Sequence, residues 1–262
     1  MTGLALFASI ATFGGAVFGY SVGWSSYAAD YTRRQPANTP SSRVFLYAFL
    51  GVTVPCIVLE ILGVLLTTSL ASNASLPAAG PLIAGNIGTG FIPSLVLLLL
   101  AFSTIANNVP NDYSFALSAQ VLGINITRWV LTLVGAVLYL GLAFLLQANF
   151  NLNLEGFLLL IAYWLGAWNT IVILEHIMRR GNYPVGDYQN GKLLPVGIAA
   201  VAAMVIGLVV AAFGINQAST IGFEGPLSHA WGDADIGFPL AIIATGIIYF
   251  VLRRWELARF KR

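Results

Sequence analysis

The chain has 262 residues, of which 58% are hydrophobic and 8% are charged, and its formal net charge is +2. A soluble domain carries about 25% charged residues, so this composition excludes a water-soluble globular protein and predicts an integral membrane protein. The small net charge gives no reason to expect nucleic acid as a partner. The single cysteine, Cys56, excludes an intrachain disulfide and a thiolate metal cluster.

Seven apolar runs are long enough to cross a bilayer, whose hydrocarbon core of about 30 Å needs roughly 20 helical residues. A backbone in lipid must satisfy its own hydrogen bonds, so each run is predicted to be a helix. The runs cover residues 4–28, 44–70, 91–109, 129–147, 154–177, 193–215 and 237–253. The sequence therefore predicts an all-α membrane protein with seven transmembrane helices, and its longest loops are predicted at 72–90 and 216–236.

The basic residues predict the orientation of the chain, because all of them fall on one side of the seven-helix alternation. The twelve are Arg33, Arg34, Arg43, Arg128, Arg179, Arg180, Lys192, Arg253, Arg254, Arg259, Lys261 and Arg262. By the positive-inside rule that side is the cytoplasm, so the N-terminus is predicted outside and the C-terminus in the cytoplasm. The first run begins almost without a polar leader, and we therefore expect a chain that lacks an odd number of preceding helices.

The third run ends in a dense group of polar side chains. At about 100° per helical residue, one face carries Ser103, Thr104, Asn107, Asn108, Asn111 and Ser114. Unsatisfied polar groups are costly in hydrocarbon, so this face must meet other helices, water or a ligand. Pro110 removes an amide donor, which predicts a helix break of the kind that lines a cavity. A carboxamide suits the edge of a nucleobase or cyclic amide; hydrogen bonding between helices alone is the alternative.

The first run contains a second candidate break, in the stretch GYSVGWSSYAADYTRR. Gly19 and Gly23, with nearby serines, weaken the helix at mid-membrane, as in the discontinuous helices of secondary transporters. Trp24 next to this break could stack on a flat heteroaromatic ligand. The alternatives are close helix packing through Gly15, Gly19 and Gly23, and an interfacial anchoring role for Trp24.

Four stretches carry a family resemblance: SSYAADYTR, PCIVLEILG, ANNVPNDYSFALSAQVLG and EHIMRRGNY. They resemble the purine-cytosine permease branch of the nucleobase–cation symporter-1 family. The resemblance implies a leucine-transporter-type fold of twelve helices with a five-plus-five inverted repeat. This chain would be helices six to twelve, with 1–177 as the second repeat and 193–253 as two additional helices. Five absent helices is an odd number, as the charge pattern requires.

The resemblance also implies roles for residues in the two candidate breaks. Trp24 matches the aromatic residue of the sixth helix that stacks on the substrate. Asn107, with Pro110 three residues later, matches the asparagine of the eighth helix that hydrogen-bonds the substrate ring. Asn108 and Asn111 resemble neighbouring positions and complete the predicted substrate-binding set.

Cation coupling and gating have separate candidates. Sodium-coupled members of the family use adjacent Ser and Thr hydroxyls on the eighth helix; Ser103 and Thr104 are adjacent, but their offset from Asn107 differs. Glu60, an ionisable residue near the centre of the second run, is either a proton-coupling group or a structural hydrogen-bond partner. Because the purine branch is described as proton-coupled, a co-transported proton is favoured over sodium.

The aromatic residues of the fifth run and one outer histidine leave alternatives open. Trp164 and Trp168, with Tyr163, either pack in the core or gate the outer side of the site. His229 lies in a predicted outer loop without a metal partner in the sequence, so no metal site is predicted.

Together these features predict a plasma-membrane symporter that moves a nucleobase-like substrate by alternating access around a midplane site. No bond is made or broken, so the protein is predicted not to be an enzyme and to need no bound cofactor. Its predicted partners are the lipid bilayer and the missing N-terminal helices, and residues 1–262 alone are expected to be inactive. The alternatives are a seven-helix receptor and a half-transporter that supplies its half to a separate chain.

Overall fold

The structure is a computed structural model that describes residues 3–36, 38–70, 79–184, 186, 190–192 and 194–260. Within these ranges most residues are helical. Five helical stretches are long and apolar enough to cross a membrane, and one of them, Arg128–Met178, contains two successive helices. A shorter apolar helix, Ile198–Ala212, lies in the sixth predicted run, 193–215. The predicted all-α membrane class is confirmed.

The elements follow in chain order with short connections. The helices are α1 (Leu4–Gly23), α2 (Ala28–Thr32), α3 (Ser41–Thr67), α4 (Ala79–Ile87), α5 (Phe91–Val121), α6 (Arg128–Leu146), α7 (Phe150–Met178), α8 (Ile198–Ala212), α9 (Ala218–Ile221), α10 (Pro226–Ala230) and α11 (Gly237–Phe260). Two short strands, β1 (Asn216–Gln217) and β2 (Phe223–Glu224), pair antiparallel.

Several predicted boundaries are wrong. Helix α5 continues twelve residues beyond the predicted end at 109, because polar residues there find partners on other elements and need not leave the helix. Helix α8 is shorter than predicted, since Gly197 adopts a left-handed φ of 86° directly before it. The predicted loops at 72–90 and 216–236 contain, in their described parts, helix α4 and the β1–β2 hairpin with α9 and α10.

The chain divides into two compact units. The terminal unit comprises Met1–Ser26 and Leu152–Arg262, and the central unit comprises Tyr27–Asn151. The division falls inside the short 3₁₀ helix that follows α1 and again near the start of α7. The assignment of 1–177 and 193–253 to an inverted repeat and two additional helices stays a prediction.

Small residues allow close helix packing in the terminal unit. A Cβ atom on Gly15 would lie 2.8 Å from Leu159 Cδ2, and one on Gly19 would collide with the carbonyl oxygen of Leu158. Helix α1 therefore lies directly on the backbone of α7, as glycine-rich membrane helices do. Helices α8 and α11 pack along their length, and buried alanines such as Ala203 and Ala241 line their contacts.

The central unit is built around the pairing of α5 with α6. Ala116, Ala119 and Leu131 form its buried apolar cluster. Helix α3 has no buried residue, and its large apolar side chains are exposed. Exposed apolar side chains on a span of this length are compatible with contact with lipid, because hydrocarbon does not penalise them.

Candidate substrate site

The first helix breaks at Trp24. Helix α1 ends at Gly23, a 3₁₀ turn covers Trp24–Tyr27, and α2 begins at Ala28. The Ser25 hydroxyl donates to the carbonyl oxygen of Val22 at 2.6 Å, so a side chain satisfies a carbonyl at the end of the α-helix. The predicted break at Gly19 is wrong, because Gly19 lies inside α1, where its lack of a side chain permits the contact with α7.

Asn169 on α7 holds this break in place. Its Nδ2 donates to the Ser25 hydroxyl at 2.7 Å and to the carbonyl oxygen of Leu165 at 2.9 Å. Trp24, which is half-buried, directly precedes the anchored serine. Asn169 is not among the predicted site residues; its signal was an amide inside the apolar run 154–177, where interhelical hydrogen bonds are common.

The aromatic residues of α7 differ in their surroundings. Tyr163 is buried, Trp168 is half-buried and Trp164 is 45% exposed. Tyr163 donates a hydrogen bond to Asp235, so this residue belongs to the packed interior of the terminal unit. The gating roles of Trp164 and Trp168 stay predictions.

On the polar face of α5, some side chains hydrogen-bond to described residues of other elements and some do not. Asn107 is exposed, and its carboxamide makes no hydrogen bond with any described residue. Asn108 and Asn111 are half-buried and bonded. The Tyr27 hydroxyl donates to Asn111 Oδ1 at 2.7 Å, and Asn111 Nδ2 donates to Asn108 Oδ1 at 3.4 Å. The asparagines therefore serve different local functions although they lie within five residues of each other.

Asp112 closes a polar triad with Asn108 and Tyr139 of α6. Asn108 Nδ2 lies 3.1 Å from Asp112 Oδ2 and 3.2 Å from the Tyr139 hydroxyl oxygen. The Tyr139 hydroxyl donates to Asp112 Oδ1 at 2.9 Å. Asp112 is not among the predicted site residues, because the predicted third run ended at 109; the structure places this acid inside α5, where an ionisable residue indicates function.

Further polar contacts join α5 to the segment around α2. The Ser114 hydroxyl donates to Asp30 Oδ2 at 2.7 Å, and the Arg33 guanidinium donates to the Tyr113 hydroxyl. These bonds explain how a polar stretch can continue the helix as far as Val121. Helix α5 is unbroken at Pro110, so the predicted break there is wrong: a proline removes one backbone donor, and the remaining hydrogen bonds keep the helix continuous.

The cation-coupling candidates make few side-chain contacts. The hydroxyls of Ser103 and Thr104 both donate to the carbonyl oxygen of Leu100, at 2.8 and 3.0 Å. Glu60 on α3 is half-buried and forms no hydrogen bond or ion pair with a described residue. The structure thus offers Glu60 no structural partner within the described chain, and its coupling role stays a prediction.

A buried carboxylate organises one end of the terminal unit. Asp235 is 0% exposed and accepts hydrogen bonds from the Tyr163 hydroxyl, the Asn216 amide (2.8 Å) and the Gly237 amide (3.1 Å). Its own backbone amide donates to Thr12 Oγ1 at 3.0 Å. Burial raises the pKa of the Asp235 carboxyl above its ordinary value, although the three donors act in the opposite direction.

A second polar cluster lies towards the C-terminal ends of α7 and α11. Glu175 and Arg179 form an ion pair at 2.6 Å, and Arg253, which is 2% exposed, adds two contacts to the same carboxylate at 2.8 and 2.9 Å. Glu256 lies 3.7 Å from Arg253 and accepts the Gly197 amide before α8 at 2.9 Å. The cluster ties α7, α8 and α11 together.

The fold brings partners to His229 that the sequence did not reveal. Its Nδ1 lies 3.1 Å from Asp233 Oδ1 and 3.8 Å from Glu224 Oε1. These groups include the ligand types of a metal site, but all three residues are exposed. An exposed hydrogen bond between the His229 ring and Asp233 accounts for their arrangement.

Comparison with known proteins decides the family. Residues 2–230 match the family described as permease for cytosine/purines, uracil, thiamine, allantoin. The chain belongs to this family. The predicted resemblance to its purine-cytosine permease branch is confirmed by relatives that carry this name.

Similar permeases occur in fungi and bacteria. A purine-cytosine permease of Emericella nidulans is 36% identical over an alignment of 268 positions, which covers 97% of this chain and 52% of the relative. A purine-cytosine permease of Saccharomyces cerevisiae is 34% identical over 97% of this chain and 50% of its own length. A putative purine-cytosine permease of Bacillus subtilis is 30% identical over 93% of this chain and 54% of its own length.

The chain thus spans about half the length of the curated relatives that it matches. A vitamin B6 transporter of Saccharomyces cerevisiae is also similar, at 24% identity over 91% of this chain. No solved structure matches the chain.

Proposed function

We propose that this chain forms part or all of a plasma-membrane symporter that carries purines, cytosine or a related cyclic amide by alternating access. The observation that carries this proposal is the match of residues 2–230 to the family of cytosine and purine permeases. The relatives in fungi and bacteria bear the name purine-cytosine permease, which favours this substrate class over vitamin B6. Transport of this kind is not an enzymatic reaction.

Trp24 and Asn107 are the proposed substrate contacts. Trp24 would stack on the heteroaromatic ring, and its place in a helix break held by Ser25 and Asn169 supports a fixed orientation for the indole. Asn107 would hydrogen-bond to the polar edge of the ring. Its carboxamide has both a donor and an acceptor that make no hydrogen bond within the described chain. Asn108 and Asn111 would act next to it.

Cation coupling completes the proposal, and we favour a proton over sodium. A sodium site on Ser103 and Thr104 would use their oxygen lone pairs, because both hydroxyl protons are engaged by Leu100. The other residues of the substrate site would lie on family helices that precede the sixth helix, which is the helix that α1 of this chain resembles. The proposed orientation places the N-terminus of this chain outside and its C-terminus in the cytoplasm.

Uptake by the full product of the gene tests the proposal. We would express it in cells without nucleobase uptake of their own and measure tritiated cytosine, adenine, hypoxanthine, uracil, allantoin and pyridoxine. Saturable uptake of a purine or cytosine, competed by the other members of that class, is expected. Absence of saturable uptake of every compound, with the protein present at the cell surface, would refute a transporter.

A second arm separates the alternatives. Liposomes that contain only residues 1–262 are expected to show no uptake, because half of the proposed inverted repeat would be absent. Saturable uptake by these liposomes would contradict that expectation. Binding without uptake by the full gene product would favour the receptor, and uptake that appears only with a co-purifying membrane protein would favour the half-transporter.

A further inference from the structure

Asp112 is an acidic residue inside a helix that is long and apolar enough to span the membrane. It lies six residues after Ala106, the midpoint of α5, which is about 9 Å along the helix axis. Ionisable side chains in membrane spans are costly and usually face protein or a water-filled cavity. Asp112 is half-buried and hydrogen-bonds to Tyr139 of α6, which is itself 42% exposed.

The carboxylate of Asp112 has neutral partners on both oxygens. Oδ2 accepts from Asn108 and Oδ1 accepts from the Tyr139 hydroxyl. Among the described residues, no Lys, Arg or His forms an ion pair with it. A carboxylate that lacks a cationic partner in such a place is suited to exchange its charge for a proton.

Within the triad, the side-chain amide of Asn108, a proposed substrate-binding residue, is already hydrogen-bonded. Asn108 Nδ2 has two N–H donors, and it contacts Asp112 at 3.1 Å and the Tyr139 oxygen at 3.2 Å. Its Oδ1 accepts from Asn111. With Asp112 charged, the Asn108 amide therefore has no donor left for a ligand.

We propose that Asp112 is the proton-binding site that couples the cation to substrate binding, and that it acts through the amide of Asn108. This inference rests on the proposed transport function. A proton taken from water forms an O–H bond on one Asp112 oxygen and leaves the carboxyl neutral. If that oxygen is Oδ2, it becomes a donor, and the Asn108 N–H that it accepted is released towards a ring acceptor of the substrate.

The reverse step releases the substrate. When Asp112 loses its proton, Oδ2 again accepts the Asn108 N–H and withdraws this donor from the ring. Proton and substrate therefore bind together and leave together, which is the requirement for symport. Asn107, whose carboxamide stays outside the triad, would hold the ring in both steps.

The neighbouring titratable groups do not replace Asp112 in this role. Helix α4 contains no titratable side chain. The titratable side chains on the other described elements around this part of α5 either bond to other partners or lie at a helix end. They are Tyr27 with Asn111, Asp30 with Ser114, Arg33 with Tyr113, and Arg128 at the start of α6. Tyr139 is the one titratable side chain among the described residues that bonds directly to Asp112.

The test uses the full gene product in liposomes and two assays with tritiated cytosine or adenine, whichever the wild type carries. The first assay measures accumulation driven by an imposed pH gradient. The second measures counterflow exchange without a gradient, which needs substrate binding and conformational change but no net proton movement. Asp112→Asn is expected to retain counterflow, at a rate reduced by no more than about tenfold for one altered hydrogen bond. It is expected to lose gradient-driven accumulation and the pH dependence of its apparent affinity.

Three variants make the result decisive. Glu155→Gln, an exposed acid on α7, is the matched control and is expected to keep both activities. Tyr139→Phe removes one bond to Asp112 but keeps its carboxyl group, so gradient-driven accumulation is expected to persist. Asp112→Glu keeps a titratable group and is expected to accumulate substrate with a shifted pH profile.

Accumulation by Asp112→Asn equal to that of the wild type would overturn the proposal. So would loss of coupling in Glu60→Gln with normal coupling in Asp112→Asn, which would transfer the role to Glu60. If Asp112→Asn and Asp112→Glu are both folded by size-exclusion chromatography yet inactive in both assays, Asp112 is structural and the proposal fails. Failure of the wild type to transport any substrate would instead refute the proposed function.

Discussion

The three asparagines of α5 lie close together in the chain but differ in their hydrogen bonding. Asn108 and Asn111 hydrogen-bond to groups on α5, on α6 and before α2, so much of their polarity is used within the fold. Asn107 has an unused carboxamide within the described chain. In a membrane span such a group needs an external partner, since an unmet hydrogen bond is costly there. A substrate ring is the partner that we propose for it.

The substitution Asn107→Ala tests whether the carboxamide of Asn107 binds the substrate. We expect high-affinity uptake by the full gene product to fall by more than about tenfold, because a ligand hydrogen bond read by the amide is lost. Initial rates over a range of substrate concentrations, with surface biotinylation to count the protein, provide the measurement.

Val109→Ala is the control for that experiment. Val109 lies two residues away on the same helix, is 60% exposed and is apolar, so its truncation should leave uptake close to the wild-type rate. Unchanged uptake in Asn107→Ala at normal surface abundance would contradict the proposed role of Asn107.

At the scale of the elements, glycines and polar clusters determine how the helices of the terminal unit pack. Gly19 brings α1 onto the backbone of α7, and Asn169 then fastens the end of α1 at Ser25. The Asp235 carboxylate receives donors from α7 and β1, and the Glu175 carboxylate of α7 receives donors from α11. The helix break that carries Trp24 is thus supported by a framework of close contacts and hydrogen bonds.

The substitution Gly19→Ala should destabilise this framework. The added methyl group would collide with the carbonyl oxygen of Leu158, and overpacking of this kind costs about 1–3 kcal/mol. A lower melting temperature of residues 1–262 in detergent is the expected result. Gly14→Ala is the matched control, since its methyl group would meet no atom within 4 Å. Equal melting temperatures for the two variants would contradict the close approach.

The stability of the terminal unit should also depend on pH through Asp235. Because burial raises the pKa of this carboxyl in the folded state, folding favours the protonated form. The contribution is complete below the ordinary value of 3.8 and is lost as pH rises through the raised value. Asp235→Asn, which stays neutral, should therefore show a smaller fall in melting temperature between pH 4 and pH 8 than the wild type. The same fall in both proteins would be evidence against this assignment.

At the scale of the whole molecule, charge predicts which loops face the cytoplasm. All twelve Lys and Arg residues fall on one side of the seven-helix alternation. The described loop that contains Glu224 and Asp233 lies on the other side and carries exposed acids. Positively charged loops are retained in the cytoplasm during insertion, so this asymmetry should set the topology.

Cysteine labelling measures that topology. In a Cys56→Ala background, Ser219→Cys in the acidic loop should react with an impermeant maleimide in intact cells. Gln35→Cys, which lies between Arg34 and Arg43, should react only after the cells are permeabilised. Both positions are exposed in the structure, so a difference in reaction reports the side of the membrane. The opposite pattern would reverse the predicted orientation.

The sequence by itself determined the class of the protein and its family. Its seven spans stay a prediction, for which the described residues offer five long apolar helical stretches and the shorter helix α8. Hydrophobic length and helical periodicity are local properties, and they suffice where a backbone in lipid must be helical. The family motifs, such as the stretch around Asn107, are also contiguous in the chain. The same local view placed breaks at Gly19 and Pro110, where the helices continue.

Only the tertiary structure decided which polar groups meet. Asn169 and Ser25 are 144 residues apart, and Asp235 and Thr12 are 223 residues apart. No periodicity joins such positions, because their distance depends on how the helices pack and not on the pattern within any one of them. For the same reason, only the packing of α5 against α6 shows that Asp112 and Tyr139 engage Asn108 while Asn107, one residue earlier, stays available.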